Sequence, residues 1–178
     1  YGALFKLLIK QWRDDWQQGD FPFYWVQLPF HDERPAIPDD SAWARVREGQ
    51  AQALSLPNTG QAVTVDLGET NDLHPRDKID VAARLVRWAL DKDYGKAIPF
   101  RSPEFKNGSL QDGKYTVTFD HVGEGLMNLH TNDVRGFAVC GEDQKWVWAH
   151  AVITDPDKVV VWSDEVKKPV ALRYGWAD

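Results

Sequence analysis

The sequence has few of the features that would assign it to a function class at once. Its 178 residues include a single cysteine, Cys140, so no disulfide can form within the chain. No Gly-x-Ser-x-Gly elbow, Walker loop or dinucleotide-binding glycine pattern occurs. The local motifs of α/β-hydrolases, P-loop enzymes and nicotinamide-dependent dehydrogenases are therefore missing.

Positive charge and long apolar runs are also scarce. Lysine and arginine number 21 against 27 aspartate and glutamate residues, which gives a formal net charge of -6 at pH 7. Without a basic cluster, neither nucleic acid nor an anionic membrane is expected as a partner. The apolar stretch at residues 4–9 is followed at once by Lys10, Gln11 and Arg13, so no membrane-spanning segment is predicted.

The first hundred residues alternate helical and buried-strand patterns. Helical spacing predicts a helix over residues 3–17, another from Asp40 or Ser41 to about residue 55, and a third opened by Pro75. Apolar runs at residues 23–28 and 62–66 predict strands covered on both faces, the first of them central in its sheet. Strands separated by such helices form parallel sheets, whose ligands bind at the carboxyl ends of the strands.

After about residue 100 the pattern becomes that of an all-β module. Asn107-Gly108 and Asp112-Gly113 are typical turn pairs. They lie among short runs of alternating character at residues 115–119, 137–140, 146–153, 159–162 and 170–174. We therefore predict an α/β domain at residues 1–98 and a β-sandwich module at residues 101–178.

The most informative segment follows the second predicted strand and contains Asp72-Leu73-His74-Pro75. An imidazole beside a carboxylate can take a proton from a nucleophile and return it to a leaving group. His74 is the predicted general base and Asp72 the group that orients it. Asn71, Glu69 and Asp66 are alternative partners for His74, and Asp72 could instead cap the following helix.

Other candidate groups have weaker settings. The remaining histidines are His31, His121, His130 and His150, and their spacing predicts no metal site. Cys140 lies in the middle of an apolar run, where packing is the expected role. No cofactor is predicted. Helical or strand spacing assigns Trp12, Trp25, Trp43 and Trp88 to the core, whereas Trp146, Trp148, Trp162 and Trp176 are open to either packing or sugar stacking.

Several separated segments resemble the sialate O-acetylesterase family of SGNH-type serine esterases. They are residues 4–13, residues 19–28, residues 56–67 with Asn71-Asp72-Leu73-His74-Pro75, and residues 170–178. The resemblance spans nearly the whole chain. It implies the C-terminal part of an SGNH-like α/β/α parallel-sheet domain, followed by β-sandwich material.

The resemblance also implies an activity, the removal of acetyl groups from sialic acids or other glycans. A serine attacks the acetyl carbonyl, His74 relays the proton, and Asp72 orients His74. The family's nucleophilic serine and its oxyanion glycine and asparagine match no position of this sequence, so an N-terminal half of the enzyme is the expected partner. None of the serines matches the family's nucleophile motif: Ser41, Ser55, Ser102, Ser109 and Ser163.

Family members are commonly exported or lysosomal, so a secreted, periplasmic or lysosomal location is expected. A second hypothesis comes from another functional class. In it the protein is a non-catalytic carbohydrate-binding protein, Trp146 and Trp148 hold the glycan, and the Asp72/His74 pair is a remnant. The two hypotheses differ in whether acetate is released once the missing half is supplied.

Overall fold

The computed structural model of the chain describes residues 1–31, 35–38, 40–128 and 134–177. Taking these residues alone, one compact unit contains residues 1–31 and 41–101, and a second contains residues 35–38, 40 and 102–177. The domain limits at residues 98 and 101 stay a prediction. His130 and the end of the second predicted domain, Asp178, lie outside the described residues.

The first unit alternates helices and strands in the predicted order. Its elements are α1 (Gly2–Trp16), β1 (Phe23–Val26), α2 (Ala42–Ala51) with a 3-10 turn (Gln52–Ser55), β2 (Thr59–Ala62) and α3 (Lys78–Lys92). The two strands pair in parallel, with Phe23 beside Thr59 and Val26 beside Ala62. The α/β character and the parallel pairing are thus confirmed.

Helices lie on both faces of the two strands. Successive strand side chains point to opposite faces, so neighbouring residues of β1 contact different helices. Trp25 packs in a core cluster with Ile9 of α1 and Ala53 of the 3-10 turn. Tyr24 faces the other side, where its ring lies 6.2 Å from that of Trp88 in α3. The prediction that Trp25 and Trp88 are core residues is confirmed, but Trp12 is 46% exposed.

The helix starts were predicted with mixed success. Ser41 caps α2 by accepting the Ala44 N–H at 2.9 Å, as expected. Helix α3 begins at Lys78 rather than at Pro75, because Asp77 supplies the cap by accepting the Asp80 N–H at 2.9 Å. The chain between Pro75 and Asp77 is therefore loop.

The second strand begins three residues earlier than predicted and ends four residues earlier. It covers Thr59–Ala62, and the segment predicted as strand from residue 63 onward is loop. Thr64 ends the pairing, because its Oγ1 donates to Gln27 O at 2.6 Å and its own carbonyl accepts the Leu67 N–H at 3.0 Å. Val63 and Val65 in this loop are half-buried, so their apolar character does not require a strand.

The second unit consists of antiparallel strands. They are β3 (Glu104–Gln111), β4 (Lys114–Asp120), β5 (Phe137–Cys140), β6 (Trp146–Trp148), β7 (His150–Asp155), β8 (Lys158–Trp162) and β9 (Ala171–Tyr174). One sheet has the order β3-β4-β8-β7 and the other β6-β5-β9. Buried side chains of both sheets form one core: Val117, Phe137, Val139, Ala151, Val159 and Val161.

Two local predictions in this unit were wrong. Asn107 and Gly108 lie inside β3, opposite Thr118 and Val117 of β4, and the hairpin turns at Asp112-Gly113 instead. The predicted strand at residues 146–153 is divided between β6 and β7, which belong to different sheets. Among the described residues, no helix is long and apolar enough to cross a membrane.

Candidate active site at the carboxyl ends of the parallel strands

The loops that follow β1 and β2 are fastened to each other. Thr64 is fully buried and donates to Gln27 O, which replaces one bond of the strand ladder. Gly68 lies against the Phe30 carbonyl so closely that a side chain at this position would overlap it. The Asn71 N–H donates to His31 O at 2.7 Å. The two loops therefore form one surface at the sheet edge where ligands of parallel sheets bind.

A tight turn precedes the predicted catalytic pair. The Asp72 N–H donates to Glu69 O at 3.0 Å, and Asn71 has a left-handed φ of 62° within this turn. Asparagine tolerates that conformation better than most residues. The Glu69 carboxylate accepts the Arg76 N–H at 2.9 Å and lies 3.2 Å from Arg76 Nε. Glu69 thus fastens the far side of the turn.

Asp66 serves helix α3. Both of its oxygens accept hydrogen bonds from Arg84, the one to Nη2 at 2.7 Å, and Arg84 also donates to Val63 O at 2.8 Å. Burial raises the pKa of Asp66, but the hydrogen bond and positive charge of Arg84 lower it further, so the net pKa lies below its usual value. Asp66 therefore holds α3 against the end of β2.

Asp72 is the carboxylate that lies against His74. Its Oδ1 accepts the His74 backbone N–H at 2.8 Å and lies 3.5 Å from His74 Nδ1. The second distance is longer than an ordinary N–H···O bond of about 2.9 Å, as is common before substrate binds. The hydrogen bond from the His74 backbone is the main cause that lowers the pKa of Asp72. Asp72 is thus an anion at neutral pH, fixed to the backbone of the residue that it would orient.

The alternative that Asp72 caps α3 is wrong, because Asp77 performs that role. The side chain of His74 is 77% exposed, and that of Asp72 is 39% exposed. With Nδ1 toward Asp72, the opposite ring nitrogen, Nε2, is left for a reacting group. The arrangement can accept and donate a proton, which is the chemistry of a general base and acid.

Three of the serines serve the local backbone. Ser41 Oγ caps α2, Ser55 Oγ donates to Gln52 O at 3.0 Å, and Ser163 Oγ accepts the Glu165 N–H at 3.2 Å. Burial raises the pKa of the Cys140 thiol, which favours its unreactive form. Within the part of the chain that the structure describes, no three His, Cys, Asp or Glu side chains are grouped to hold a metal ion.

The tryptophans left open by the sequence contact their own chain. The guanidinium of Arg173 lies 4.1 Å from the ring centroid of Trp146. Trp148 Nε1 donates to Pro35 O at 3.0 Å. The Arg173 guanidinium covers one face of the Trp146 ring, and the Pro35 carbonyl takes the Trp148 N–H, so less of each indole is left to bind a sugar, which weighs against the carbohydrate-binding alternative.

Sequence reasoning missed three supports of the site: Thr64, Arg84 and the His31 backbone. The Thr64 hydrogen bond joins residues 37 positions apart in the sequence, and Arg84 lies 18 residues after Asp66. A backbone acceptor such as His31 O leaves no signal in a sequence. For Arg84 alone the sequence held a clue, because a basic residue on a helix can face a carboxylate at the end of a strand.

No protein-family model matches the chain, and neither does any curated protein. Among solved structures, the chain is similar to a carbohydrate acetylesterase from Xanthomonas citri, with 40% sequence identity and a TM-score of 0.87. The similarity covers 99% of this chain and 41% of that one, so this chain spans less than half of the acetylesterase's length.

Proposed function

We propose that this chain is the histidine-bearing part of a carbohydrate O-acetylesterase. The observation that carries the proposal is the Asp72–His74 pair at the carboxyl edge of a parallel strand pair, in a chain 40% identical to a carbohydrate acetylesterase over almost its whole length. Acetylated sialic acid is the proposed substrate class, on the strength of the family resemblance in the sequence. The same resemblance supports an SGNH-like domain followed by a β-sandwich, and an exported or lysosomal location.

The proposed reaction is serine-type ester hydrolysis. His74 Nε2 takes the proton of a serine hydroxyl while the serine oxygen bonds to the acetyl carbon. The bond from that carbon to the sugar oxygen then breaks, and His74 returns the proton to the sugar. Water repeats the sequence, with its oxygen joining the acetyl carbon and its proton passing through His74 to the serine as acetate leaves. The Asp72 carboxylate stabilises the imidazolium that forms in both steps of the reaction.

The nucleophilic serine is proposed to come from a segment that packs against α1 and β1. Large apolar side chains are exposed along α1, and we call them the α1 stripe: Leu4, Leu7, Leu8, Trp12 and Trp16. An aromatic groove lined by Trp12, Trp16, Phe21 and Phe23 continues it. Exposed apolar surface of this extent is typical of an interface.

The strand edge supports the same partner. Parallel sheets rarely consist of two strands alone. The outer edge of β1 is closed at its carboxyl end by Gln50, whose Oε1 accepts the Leu28 N–H at 2.9 Å and whose Nε2 donates to Val26 O at 3.4 Å. A strand added to β1 would therefore pair ahead of Gln50, beside Tyr24. We infer that the serine-bearing segment supplies that strand.

Substitution of His74 tests the catalytic assignment. In the enzyme that includes the serine-bearing segment, His74→Ala is expected to lower the rate of acetate release from O-acetylated sialic acid about 100- to 10,000-fold. Asp72→Asn is expected to cause a loss of similar order, because a neutral amide cannot stabilise the imidazolium. Acetate is measured by a coupled assay, with the unacetylated sugar as blank.

His150→Ala is the matched control, since His150 is also an exposed histidine beside a carboxylate, 3.8 Å from Asp164 in the second unit. It should leave the rate within twofold. If His74→Ala released acetate as fast as the unaltered enzyme, the catalytic assignment would be wrong. If glycan bound saturably to the complete protein without any acetate release, the carbohydrate-binding alternative would replace it.

A further inference from the structure

His31 contacts the candidate site through its backbone and helix α2 through its ring. Its carbonyl accepts the Asn71 N–H at 2.7 Å. Its imidazole is stacked on the indole of Trp43, with ring centroids 5.1 Å apart and planes inclined by 25°. Trp43 lies in the first turn of α2, which the Ser41 cap fixes. A continuous set of contacts therefore joins α2 to Asn71.

Asn71 is the residue at which a small movement would be transmitted to the catalytic pair. It occupies the left-handed region and is followed at once by Asp72, whose N–H closes the turn on Glu69 O. A freed Asn71 peptide would let the turn relax toward ordinary φ values. The Asp72 carboxylate would then move relative to the His74 ring, whose Nδ1 is 3.5 Å away.

We propose that His31 and Trp43 are positioning residues for the Asp72–His74 pair; the inference rests on the acetylesterase function proposed above. The Trp43 ring restrains the His31 side chain and so the direction of the His31 carbonyl. That carbonyl holds the Asn71 turn, and the turn holds Asp72. Proton transfer tolerates little misplacement, so a support outside the reacting groups has a large effect on rate.

The first test follows the turn itself in this chain, by hydrogen exchange of the Asn71 amide and the NMR signals of the His74 ring. Trp43→Ala is expected to speed Asn71 exchange at least about tenfold and to shift the His74 signals. Trp43→Phe keeps a stacking ring and is expected to restore the Asn71 exchange rate and the His74 ring signals. The control is Trp162→Ala, which removes a half-buried indole from the second unit.

The second test is kinetic and uses the enzyme that includes the serine-bearing segment. Trp43→Ala is expected to lower kcat about 10- to 100-fold, because the pair is misplaced, while KM changes less than threefold. Trp43→Phe should recover most of kcat. A loss through unfolding alone would lower the amount of active enzyme and would leave the kcat of the remaining folded molecules unchanged.

Unchanged Asn71 exchange in Trp43→Ala would overturn the proposal, and so would faster exchange with an unaltered kcat. Should Trp43→Ala fail to fold, His31→Gly removes the stacking ring from the loop side, and His31→Phe is its conservative partner. The His74→Ala assay separates a failure of this inference from a failure of the proposed function. Activity that survives His74→Ala would remove the proposed function, whereas Asn71 exchange would still show whether Trp43 holds the turn.

Discussion

Asp72 Oδ1 lies against two groups of the same residue, the backbone N–H of His74 at 2.8 Å and its Nδ1 at 3.5 Å. The backbone bond fixes the carboxylate whether or not the ring is charged. A proton gained by the imidazole therefore meets an anion that is already in place, which is the role of the acid in a serine-esterase triad. The spacing of one residue between Asp72 and His74 is what makes this double contact possible.

Tyr24 gives a prediction of its own at the scale of the residue. Burial, and the hydrogen bond that its hydroxyl donates to Asp93 at 2.9 Å, raise the pKa of Tyr24 to about 12. The fold therefore favours the neutral phenol. The resulting stabilisation is complete below pH 10, the ordinary pKa, and is lost as the pH rises toward 12.

Tyr24→Phe should accordingly make the free energy of unfolding less dependent on pH between 10 and 12. Urea unfolding at several pH values measures this slope. Tyr94→Phe removes a tyrosine that is 72% exposed and is the matched control. An equal slope for the Tyr24→Phe variant and the unaltered chain would contradict the half-buried, hydrogen-bonded state of Tyr24.

At the scale of the element, sequence signals succeeded where a single local interaction decides the structure. Ser41, one of the two caps predicted for α2, caps that helix, and Asp112-Gly113 turns the β3–β4 hairpin as predicted. Two other local signals failed. Asp77 rather than Pro75 begins α3, and the turn pair at Asn107 was absorbed into β3.

The same reasoning explains how much of the site was predictable. Asp72 and His74 are close in sequence, and the strand end that presents them could be inferred from an apolar run, although the strand starts three residues and ends four residues before the predicted limits. The contacts that hold them are distant in sequence. His31 reaches Asn71 and Thr64 reaches Gln27 only after β1 and β2 have paired. Long-range hydrogen bonds of this kind depend on the fold and leave no local pattern.

Gly60 tests the packing of α3 on the strands. A β-carbon at Gly60 would overlap the ring of Trp88, which cannot move aside easily because its Nε1 donates to Gln61 O at 2.9 Å. Gly60→Ala is expected to lower the free energy of unfolding by about 1–3 kcal/mol, the usual cost of overpacking. Urea unfolding followed by tryptophan fluorescence measures the change.

Gly108→Ala is the matched control, because a β-carbon there would be 3.7 Å from its nearest neighbours. It should change the free energy of unfolding by less than about 0.5 kcal/mol. If Gly60→Ala were equally silent, the close approach of Trp88 to β2 would be refuted.

At the scale of the whole molecule, the first unit has buried one side of α1 and exposed the other. Ile9 is fully buried, whereas Leu4 is 72% exposed and Leu7 is 58% exposed. A surface helix of an isolated unit normally carries polar residues on its outer side. The α1 stripe and the outer edge of β1 therefore mark the surface on which we propose that the serine-bearing segment packs.

The α1 stripe should respond differently to substitution in the two contexts. In this chain alone, the double substitution Leu4→Lys and Leu8→Lys should change stability by less than about 0.5 kcal/mol per site, because both side chains are exposed. In the enzyme with the serine-bearing segment, the same two changes would place lysines in an interface. They should remove about 3–6 kcal/mol of apolar packing, which is more than a 100-fold loss of docking.

Acetate release and thermal unfolding of both forms, measured side by side, check this expectation. Ile79→Lys is the control, since Ile79 is an apolar residue of α3 that is 82% exposed and lies outside the α1 stripe. It should be tolerated in both forms. Equal tolerance of the Leu4 and Leu8 substitutions in the complete enzyme would show that α1 faces solvent there. The serine of the proposed triad would then have to approach His74 from a segment packed elsewhere, because α1 and the edge of β1 would no longer mark its docking surface.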